Sequence, residues 1–337
     1  MTKPIIAVAD TAFTDRVGVE RDFADSAEIR WADLSSVATT RLSTIGANAV
    51  VVTLQRLSAE IIDAFDRTVC VIGRAGVGLD TIDLDAAAQH GIAVVNQPAY
   101  GAPEVASHAL ALLLAVQRRL LPADEHVRAG WRGAPGLGRI RPLDEARVGV
   151  IGCGRIGRAF VARVRPLVGE VLVYDPDIAK VPDGITRIDD LDGLLERSDV
   201  LSLHLPLLTQ TRNLIGRREL AMLPPGAVVV NVSRGGIIDE VALAELLHSG
   251  HLAGAGLDVF DEEPLPPTSP LLSAPNTVLT PHCASLSDRA IHRLSHWTIG
   301  DAIEFVTSSS VSNGVLVVDP KSQPGPQLPT SQTIRPA

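Results

Sequence analysis

The stretch VGVIGCGRIGRAF, residues 148–160, decides the fold of this chain. It contains the pattern G-x-G-x-x-G as Gly152, Gly154 and Gly157, between an apolar strand-like run and a helical pattern. In a dinucleotide-binding unit the first glycine makes a tight turn, the second lets the backbone approach a pyrophosphate, and the third lets helix and strand pack closely. The helix N-terminus then presents free N–H groups and a positive dipole end to the phosphates. The context therefore predicts a dinucleotide site.

An acidic residue, Asp175, ends the next apolar run, EVLVYD. A carboxylate in this position accepts hydrogen bonds from the adenosine ribose hydroxyls and repels a 2′-phosphate. Pro176 and Asp177, which follow it, supply no cation to offset that repulsion. The sequence therefore predicts NAD as the cofactor rather than NADP.

Short β-branched runs alternate with helical patterns on both sides of the glycine loop, as in βαβ units that form parallel sheets covered on both faces. We therefore expect an α/β fold with two Rossmann-like, doubly wound parallel-sheet domains. A helix over 104–119 is apolar nearly all round and should be buried between layers or between subunits. The predicted strands are residues 5–9, 49–53, 68–73, 91–96, 147–152, 170–175, 199–206, 227–233, 254–259 and 277–281, and a last helix is predicted at about 287–306.

The bulk properties exclude several classes of function. The 337 residues suffice for two domains, and the net charge of −9 without a basic cluster argues against binding nucleic acid. The N-terminus turns acidic too early for a signal peptide, and the longest apolar run, 109–116, is too short to span a membrane. The three cysteines show no C-x-x-C spacing, so neither a disulfide framework nor a metal site is predicted. These properties are typical of a cytoplasmic protein.

Three chemically suggestive residues follow successive predicted strands: Arg234 in NVSRGG, Glu263 in DVFDEEP and His282 in TPHCAS. Taken singly, each has an ordinary alternative: a surface guanidinium, a solvated acid, or a strand-end histidine satisfied by the backbone. The carboxyl ends of parallel strands line the ligand crevice of a doubly wound sheet. We therefore expect the three side chains to converge beside the glycine loop.

Together these residue types can support hydride transfer at a hydroxy or keto carbon. A histidine that titrates near neutral pH can carry the proton, and a carboxylate beside its ring fixes the tautomer and stabilises the imidazolium. An arginine binds a substrate carboxylate with its planar fork and polarises the carbonyl. Glycine-rich backbone in GRAGVGLD, residues 73–80, can donate further N–H groups. Cys283 has no thiol partner at usable spacing and is interpreted as a packing residue.

The motifs resemble those of the D-isomer-specific 2-hydroxyacid dehydrogenases, which include phosphoglycerate dehydrogenases and glyoxylate/hydroxypyruvate reductases. The resemblance covers about residues 40–306, from GRAGVGLDTIDL through VGVIGCGRIGR and NVSRGGIIDE to NTVLTPHCAS. It implies that Arg234 binds and polarises the substrate, that His282 is the acid/base and that Glu263 is its partner. It further implies substrate-carboxylate binding by the backbone of Val77 and Gly78. The residues implied for the NAD site, besides the glycine loop and Asp175, are Arg155, Ile156, Pro206, Ser233 and Asp258.

The resemblance also implies an architecture. A discontinuous, flavodoxin-like substrate-binding domain would comprise residues 1–98 and 285–318, and an NAD-binding Rossmann domain residues 99–284. The active-site cleft would lie between the domains and close over substrate and NAD, and the protein would form a homodimer through the long helix. Residues 319–337 are rich in Pro, Ser, Gln and Thr, which predicts a disordered tail.

The chain departs from the family pattern at Ser107, where the family usually carries an acidic residue; His108 follows it. Two other functions use the same fold and stay open at this stage. One is oxidation of a small phosphorus-containing acid or aldehyde of the phosphite or phosphonate type. The other is a non-catalytic NAD(H)-sensing binding protein. Formate-type relatives replace the glutamate partner with glutamine, so Glu263 argues against that activity.

Overall fold

The computed structural model describes residues 2–9, 16–133, 136–178 and 181–320. The chain divides into two compact units: unit 1 comprises Met1–Tyr100 and Ile291–Ala337, and unit 2 comprises Gly101–Ala290. Residues 285–290, which were expected in the discontinuous domain, therefore lie in unit 2. The physical reason is local, because the side chains of Ser287 and Arg289 bind the Glu104 carboxylate of that unit at 3.2 and 2.6 Å. Of the predicted tail, residues 321–337 lie outside the described part of the chain.

Unit 1 is built on a six-stranded sheet. Its strands, numbered along the whole chain, are β1 Ile5–Ala9, β2 Glu28–Trp31, β3 Ala49–Val52, β4 Val71–Arg74, β5 Ala93–Asn96 and β13 Val315–Val318. The order across the sheet is β13-β5-β4-β3-β1-β2, and only β13 runs antiparallel to its neighbour. Its helices are α1 Arg16–Phe23, α2 Val37–Ser43, α3 Ala59–Asp63, α4 Leu84–Gln89 and the main part of α11 Asp288–Ser308.

Both faces of the unit 1 sheet are buried, which explains why its central strands read as continuous apolar runs. Successive strand residues point to opposite faces. Val50 packs with Ile62 of α3 on one face, and Val51 belongs to the cluster with Ile299 of α11 on the other. The carboxylate of Asp301 in α11 accepts the backbone N–H groups of residues 312–314, which directs the chain into β13.

Unit 2 is built on a seven-stranded, fully parallel sheet in the order β12-β11-β10-β9-β6-β7-β8. Its strands are β6 Arg147–Ile151, β7 Glu170–Tyr174, β8 Thr186–Arg187, β9 Val200–Leu203, β10 Ala227–Asn231, β11 Leu252–Leu257 and β12 Thr277–Leu279. Its helices are α5 Ala102–Gln117, α6 Leu120–Arg128, α7 Arg155–Val164, α8 Leu191–Arg197, α9 Arg217–Met222 and α10 Glu240–His248. Because the chain order reverses beside β6, the glycine loop lies at the switch point where such sheets bind ligands. The two parallel-sheet α/β units confirm the predicted fold class.

The long helix α5 packs on the sheet of its own unit. Two glycines of β11 make this close approach feasible: a Cβ atom at Gly256 would lie 2.8 Å from Cβ of Leu112, and one at Gly254 would lie 2.5 Å from a methyl of Val116. Leu112 and Leu113 are buried in the core of unit 2. Among the described helices, none combines the length and apolarity needed to cross a bilayer.

A buried ion pair closes the amino-terminal end of this sheet. Asp199, only 5% exposed, accepts the backbone N–H of Arg147 at 3.0 Å and its Nε–H at 3.1 Å, together with a hydrogen bond from Arg141. Burial alone would raise the pKa of the Asp199 carboxyl, but the hydrogen bonds from Arg147 and Arg141 outweigh it, so the pKa is lowered. A buried charge of this kind stabilises the fold only while its partners are present.

We expect Asp199→Asn to lower the free energy of unfolding at neutral pH by about 2–4 kcal/mol, because several charge-assisted hydrogen bonds are lost. The control Asp192→Asn removes an exposed pair with Arg218 and should cost below about 1 kcal/mol. A carboxyl group whose pKa is lowered in the folded state stabilises the fold at pH values above its unfolded-state pKa. This stabilisation is lost as the pH falls through the folded-state pKa. Urea unfolding of Asp199→Asn against wild type should therefore show a difference that shrinks below about pH 4. A difference independent of pH would show that the charge of Asp199 is not involved.

Candidate active site

The glycine loop joins β6 to α7 and has the geometry that a dinucleotide requires. Gly152 has a φ of +85°, and a Cβ atom there would lie 2.4 Å from the carbonyl oxygen of His204. A Cβ atom at Gly157 would lie 2.2 Å from the carbonyl oxygen of Gly152. At Gly154, by contrast, an added Cβ would meet nothing within 4 Å. The first and third glycines are therefore required by packing, while the second leaves an open surface to which a pyrophosphate could come close.

Helix α7 begins at this open surface. Gly154 is its N-cap and provides no side-chain hydrogen bond to the first amides of the helix. Arg155 and Ile156 form the first turn, and N–H groups in a first helical turn have no partner within the helix. A phosphate group can accept these N–H groups and interact with the positive end of the helix dipole. The residues present therefore fit a dinucleotide pyrophosphate.

Asp175 lies directly after β7, where its carboxylate is fixed by two backbone amides. Oδ2 accepts the N–H of Cys153 in the glycine loop at 2.7 Å, and Oδ1 accepts the N–H of Asp177 at 3.0 Å. Each carboxylate oxygen retains a further lone pair. The carboxylate is therefore held beside the glycine loop with acceptor capacity left for ribose hydroxyls.

Two further residues predicted for the cofactor site follow the neighbouring strands. The Ser233 hydroxyl, after β10, donates to the carbonyl oxygen of Leu203 in β9 at 2.6 Å. The carbonyl oxygen of Pro206, after β9, accepts the hydroxyl of Thr211 at 2.7 Å. Both residues thus lie at the carboxyl edge of the sheet, on strands next to or near β6.

The structure brings His282 and Glu263 together. The ring Nδ1 of His282 lies 2.8 Å from Oε2 of Glu263, and the other carboxylate oxygen accepts the backbone N–H of Phe260 at 3.0 Å. Burial alone would raise the pKa of Glu263, but the hydrogen bonds from His282 and Phe260 and the charges of His282 and Arg234 outweigh it, so the pKa is lowered. Glu263 is therefore held as a carboxylate against Nδ1, which leaves Nε2 of His282 for proton exchange.

Arg234 follows β10 and lies on the loop that touches the Glu263 loop. A Cβ atom at Gly235 would lie 1.8 Å from the carbonyl oxygen of Phe260, so the two loops are in direct backbone contact. The backbone carbonyl oxygen of Arg234 accepts a hydrogen bond from the Asn231 side-chain amide at 2.9 Å. The Arg234 guanidinium donates to the Ser233 carbonyl oxygen at 2.7 Å. The charge of the Arg234 guanidinium also lowers the pKa of Glu263. The three residues predicted to converge therefore lie in one region of unit 2.

Asp258 has contacts that the sequence reasoning missed. Its side chain is 1% exposed, and Oδ1 accepts the Thr280 hydroxyl at 2.6 Å and the Cys283 N–H at 2.9 Å, while Oδ2 accepts the Ala284 N–H at 2.8 Å. The carboxylate therefore binds Thr280, before His282, and Cys283 and Ala284, after it. Its implied part in the NAD site stays a prediction.

Among the residues that the structure describes, one group could by its geometry hold a metal ion: ligand atoms of His108, Asp258 and Cys283 lie within 4.8 Å of one another. Burial and the neighbouring Asp258 carboxylate raise the pKa of the Cys283 thiol, whereas metals bind the thiolate. Both oxygens of Asp258 already accept hydrogen bonds from the protein. The group is therefore better explained as a hydrogen-bond network.

Glu240, at the start of α10, is a second residue that sequence reasoning did not identify. Burial raises the pKa of its carboxyl; the N–H of Asp261, donated at 2.7 Å, opposes this, and the charges of Asp261 and Glu263 raise it further. Glu240 thus fixes the loop that carries Glu263. In the sequence, Glu240 stands out only as the last residue of RGGIIDE. An acidic residue there is also explained by the first turn of α10, which Asp239 caps.

Val77 and Gly78 lie in unit 1, in the loop that follows β4. The loop is fixed by Asn96 at the end of β5, whose side-chain amide donates to the Val77 carbonyl at 2.7 Å. Gly76 has a φ of +144°, a conformation that favours glycine. The binding of a substrate carboxylate by this backbone stays a prediction.

The fold and the glycine loop define a dinucleotide-binding α/β protein, and comparison with known proteins identifies its family. The model of the "D-isomer specific 2-hydroxyacid dehydrogenase, NAD binding domain" matches residues 110–284. A D-3-phosphoglycerate dehydrogenase from Mycobacterium leprae is 37% identical over 297 residues, which are 87% of this chain and 55% of that protein. A glyoxylate reductase from Korarchaeum cryptofilum is 38% identical over 256 residues, which are 74% of this chain and 76% of that protein.

A solved structure shows the same fold. The NADPH-dependent glyoxylate/hydroxypyruvate reductase from Sinorhizobium meliloti, in complex with NADP and malonate, has a TM-score of 0.81 and 30% identity, over 93% of this chain and 97% of that chain. The present chain therefore belongs to the D-isomer-specific 2-hydroxyacid dehydrogenase family, and residues 110–284 are its NAD-binding domain. It spans about half the length of the phosphoglycerate dehydrogenases it matches.

Proposed function

We propose that this protein is an NAD-dependent oxidoreductase that transfers a hydride between nicotinamide and a small D-2-hydroxy or 2-oxo acid. The observation that carries the proposal is the 2.8 Å contact between His282 Nδ1 and Glu263 Oε2, at the carboxyl edge of the sheet that holds the glycine loop. Relatives named for phosphoglycerate and for glyoxylate support this class of substrate, because both compounds are small 2-hydroxy or 2-oxo acids.

Bound NAD supplies the hydride acceptor, or the hydride donor in its reduced form. In the direction of reduction, Nε2–H of His282 donates a proton to the carbonyl oxygen, and in oxidation Nε2 accepts the hydroxyl proton. Glu263 holds Nδ1 and stabilises the positive charge that develops on the ring during oxidation. Arg234 binds the substrate carboxylate with its planar fork and polarises the carbonyl. For Val77 and Gly78 of unit 1, we propose that their backbone amides bind a substrate carboxylate.

We further propose how the chain contacts its cofactor. The backbone of Gly152, Gly154 and Gly157 gives the pyrophosphate its close approach, and the first turn of α7 donates N–H groups to it. The Asp175 carboxylate accepts hydrogen bonds from the hydroxyls of the adenosine ribose. The residues that would complete the NAD site are Arg155, Ile156, Pro206, Ser233 and Asp258.

The carboxylate of Asp175 should determine the choice between NAD and NADP. We expect Asp175→Ala to reduce the ratio of kcat/KM for NADH to kcat/KM for NADPH by about tenfold to hundredfold. The variant loses one or two hydrogen bonds between a charged group and the ribose of NADH, and it no longer repels the 2′-phosphate of NADPH. The matched control is Asp177→Ala, two residues on, whose backbone N–H donates to Asp175 and is retained in the variant. An unchanged ratio in Asp175→Ala, or an equal change in the control, would show that Asp175 does not select the cofactor.

We also propose that the protein acts in the cytoplasm as a homodimer. Helix α5 packs on its own unit, but the adjoining α6 exposes Leu120, Leu121 and Val127. Trp131, which follows α6, is 70% exposed in the single chain. Several exposed apolar side chains within one short segment support this proposal, because interfaces between subunits bury such side chains. Light scattering in solution should give twice the mass of one chain.

The activity is tested by incubating the purified protein with NADH and a panel of 2-oxo acids, including glyoxylate, phosphorylated acids and phosphonates. The proposal expects consumption of NADH with at least one carboxylic 2-oxo acid. Tight NADH binding without consumption across the panel would contradict it and indicate an NAD(H)-sensing protein. Reduction of NAD⁺ with phosphite, a phosphonate or a phosphorus-containing aldehyde, in a protein that consumes no NADH with the panel, would indicate the other alternative.

A further inference from the structure

A histidine outside the proposed catalytic set lies next to the acid–base loop. His108 is in α5, and its Nε2 lies 3.0 Å from the Thr280 hydroxyl and 3.6 Å from Oδ1 of Asp258. The helix around it is held firmly, because Ala109 and Leu112 are buried against the sheet of unit 2. The ring of His108 is therefore presented to TPHCAS by a rigid element.

The donors and acceptors in this group have one consistent arrangement. An ionised carboxylate only accepts hydrogen bonds. The Thr280 hydroxyl lies 2.6 Å from Oδ1 of Asp258 but 3.5 Å from the carbonyl oxygen of Leu257, so it donates its single proton to Asp258. The same hydroxyl oxygen must then accept a proton from His108 rather than donate one. Nε2 of His108 thus carries hydrogen, and a chain of hydrogen bonds runs from His108 through Thr280 to Asp258.

Asp258 passes this constraint to the backbone of His282 and of the two residues that follow it. Its side-chain oxygens accept the N–H groups of Cys283 and Ala284, and its own carbonyl oxygen accepts the N–H of His282 at 2.8 Å. His282 has a φ of +49°, a left-handed conformation that costs free energy in a residue with a side chain. The turn that aims the ring at Glu263 is therefore kept in place by Asp258.

We infer that His108 is a positioning residue of the acid–base centre, which acts through Thr280 and Asp258 to hold His282 in its catalytic orientation. This inference rests on the proposed function, since it assigns His108 a part in that same reaction. The charged and titratable groups that face one another here are His108, Asp258 and Cys283. His108 does not touch the reacting atoms; it determines where His282 lies.

The decisive pair of variants is His108→Leu, which removes the donor, and His108→Gln, whose side-chain amide can place an N–H near Nε2. We expect His108→Leu to reduce kcat by about tenfold to hundredfold, the range that a small misplacement of a catalytic group produces. The Kd for NADH should be unchanged, and the primary isotope effect with deuterated NADH should rise because the chemical step becomes slower. His108→Gln should recover kcat to within about threefold of wild type. The control Ser107→Ala, on the same helix, should keep wild-type kcat.

A second measurement tests the link without any turnover. Hydrogen exchange at the amides of Cys283 and Ala284 should be faster in His108→Leu by about tenfold and near wild type in His108→Gln. If His108→Leu does not fold, Thr280→Val breaks the same chain at its middle and carries the same expectations. Wild-type kcat and exchange in His108→Leu, or equal losses in the leucine and glutamine variants, would overturn the inference. A wild-type protein without turnover would refute the proposed function, and the exchange rates alone would then decide whether His108 fixes this turn.

Discussion

The variant His282→Asn is expected to lose about three orders of magnitude in kcat while it binds NADH as wild type does, since general acid–base catalysis contributes about 10²–10⁴-fold. Asparagine is the sharpest replacement for two reasons. Its side-chain amide can occupy the place of Nδ1 and keep the contact with Glu263, but it has nothing in the place of Nε2. It also tolerates the left-handed backbone at this position, where φ is +49°.

The measurement is steady-state turnover of the preferred 2-oxo acid, together with fluorescence titration of NADH. Cys283→Ala serves as the control, because it keeps the backbone N–H that binds Asp258 and removes only the thiol. We expect its kcat to stay within about threefold of wild type, as for a replacement that touches no reacting atom. Loss of NADH binding in His282→Asn with unchanged kcat would identify His282 as a structural residue. Equal losses in both variants would mean that the turn, rather than the imidazole, had been disturbed.

The variant Arg234→Gln should lose about three orders of magnitude in kcat/KM for the acid. A guanidinium can bind a carboxylate through two parallel charge-assisted hydrogen bonds, each worth about 1.5–3 kcal/mol, and tenfold in rate corresponds to about 1.4 kcal/mol. Arg234→Lys keeps the charge but lacks the planar fork, so it should recover only part of the activity.

The two Arg234 variants are compared by measuring kcat and KM for the acid and KM for NADH separately. Arg218→Gln is a suitable control, because this exposed guanidinium forms surface ion pairs with Asp192 and Glu219. Its kinetic constants should equal those of wild type. An increase confined to the KM for NADH in Arg234→Gln would assign the guanidinium to the cofactor instead of the acid.

The fold was predictable where burial leaves a pattern in the sequence. The central strands of both sheets are buried on both faces, so they read as apolar runs, and all of them were identified. Three strands were missed. β2 (EIRW) is a half-exposed edge strand, and β8 has two residues. β13 pairs antiparallel with β5, a strand from the other end of the chain, and is directed there by Asp301. Pairing between such distant segments leaves no local signal.

Only the part of the candidate site that follows directly from the predicted strands could be predicted. Arg234, Glu263 and His282 each follow a predicted strand, and parallel strands bring their carboxyl ends to one edge. The link from His108 through Thr280 to Asp258 was not predictable, because α5 reaches β12 only once the sheet is assembled. Asp258 was assigned to the cofactor by resemblance, whereas its contacts in the structure are to the backbone around His282.

The central claim is that His282, Glu263 and Arg234 support hydride transfer to a 2-oxo acid. Its most direct test is a reaction of the wild-type protein with deuterium-labelled NADH and the acid that the panel selects, followed by mass spectrometry and chiral chromatography of the product. The account predicts a D-2-hydroxy acid that carries deuterium on the hydroxyl-bearing carbon, and no such product with His282→Asn. NADH that is bound but not consumed, or a product without deuterium at that carbon, would contradict it.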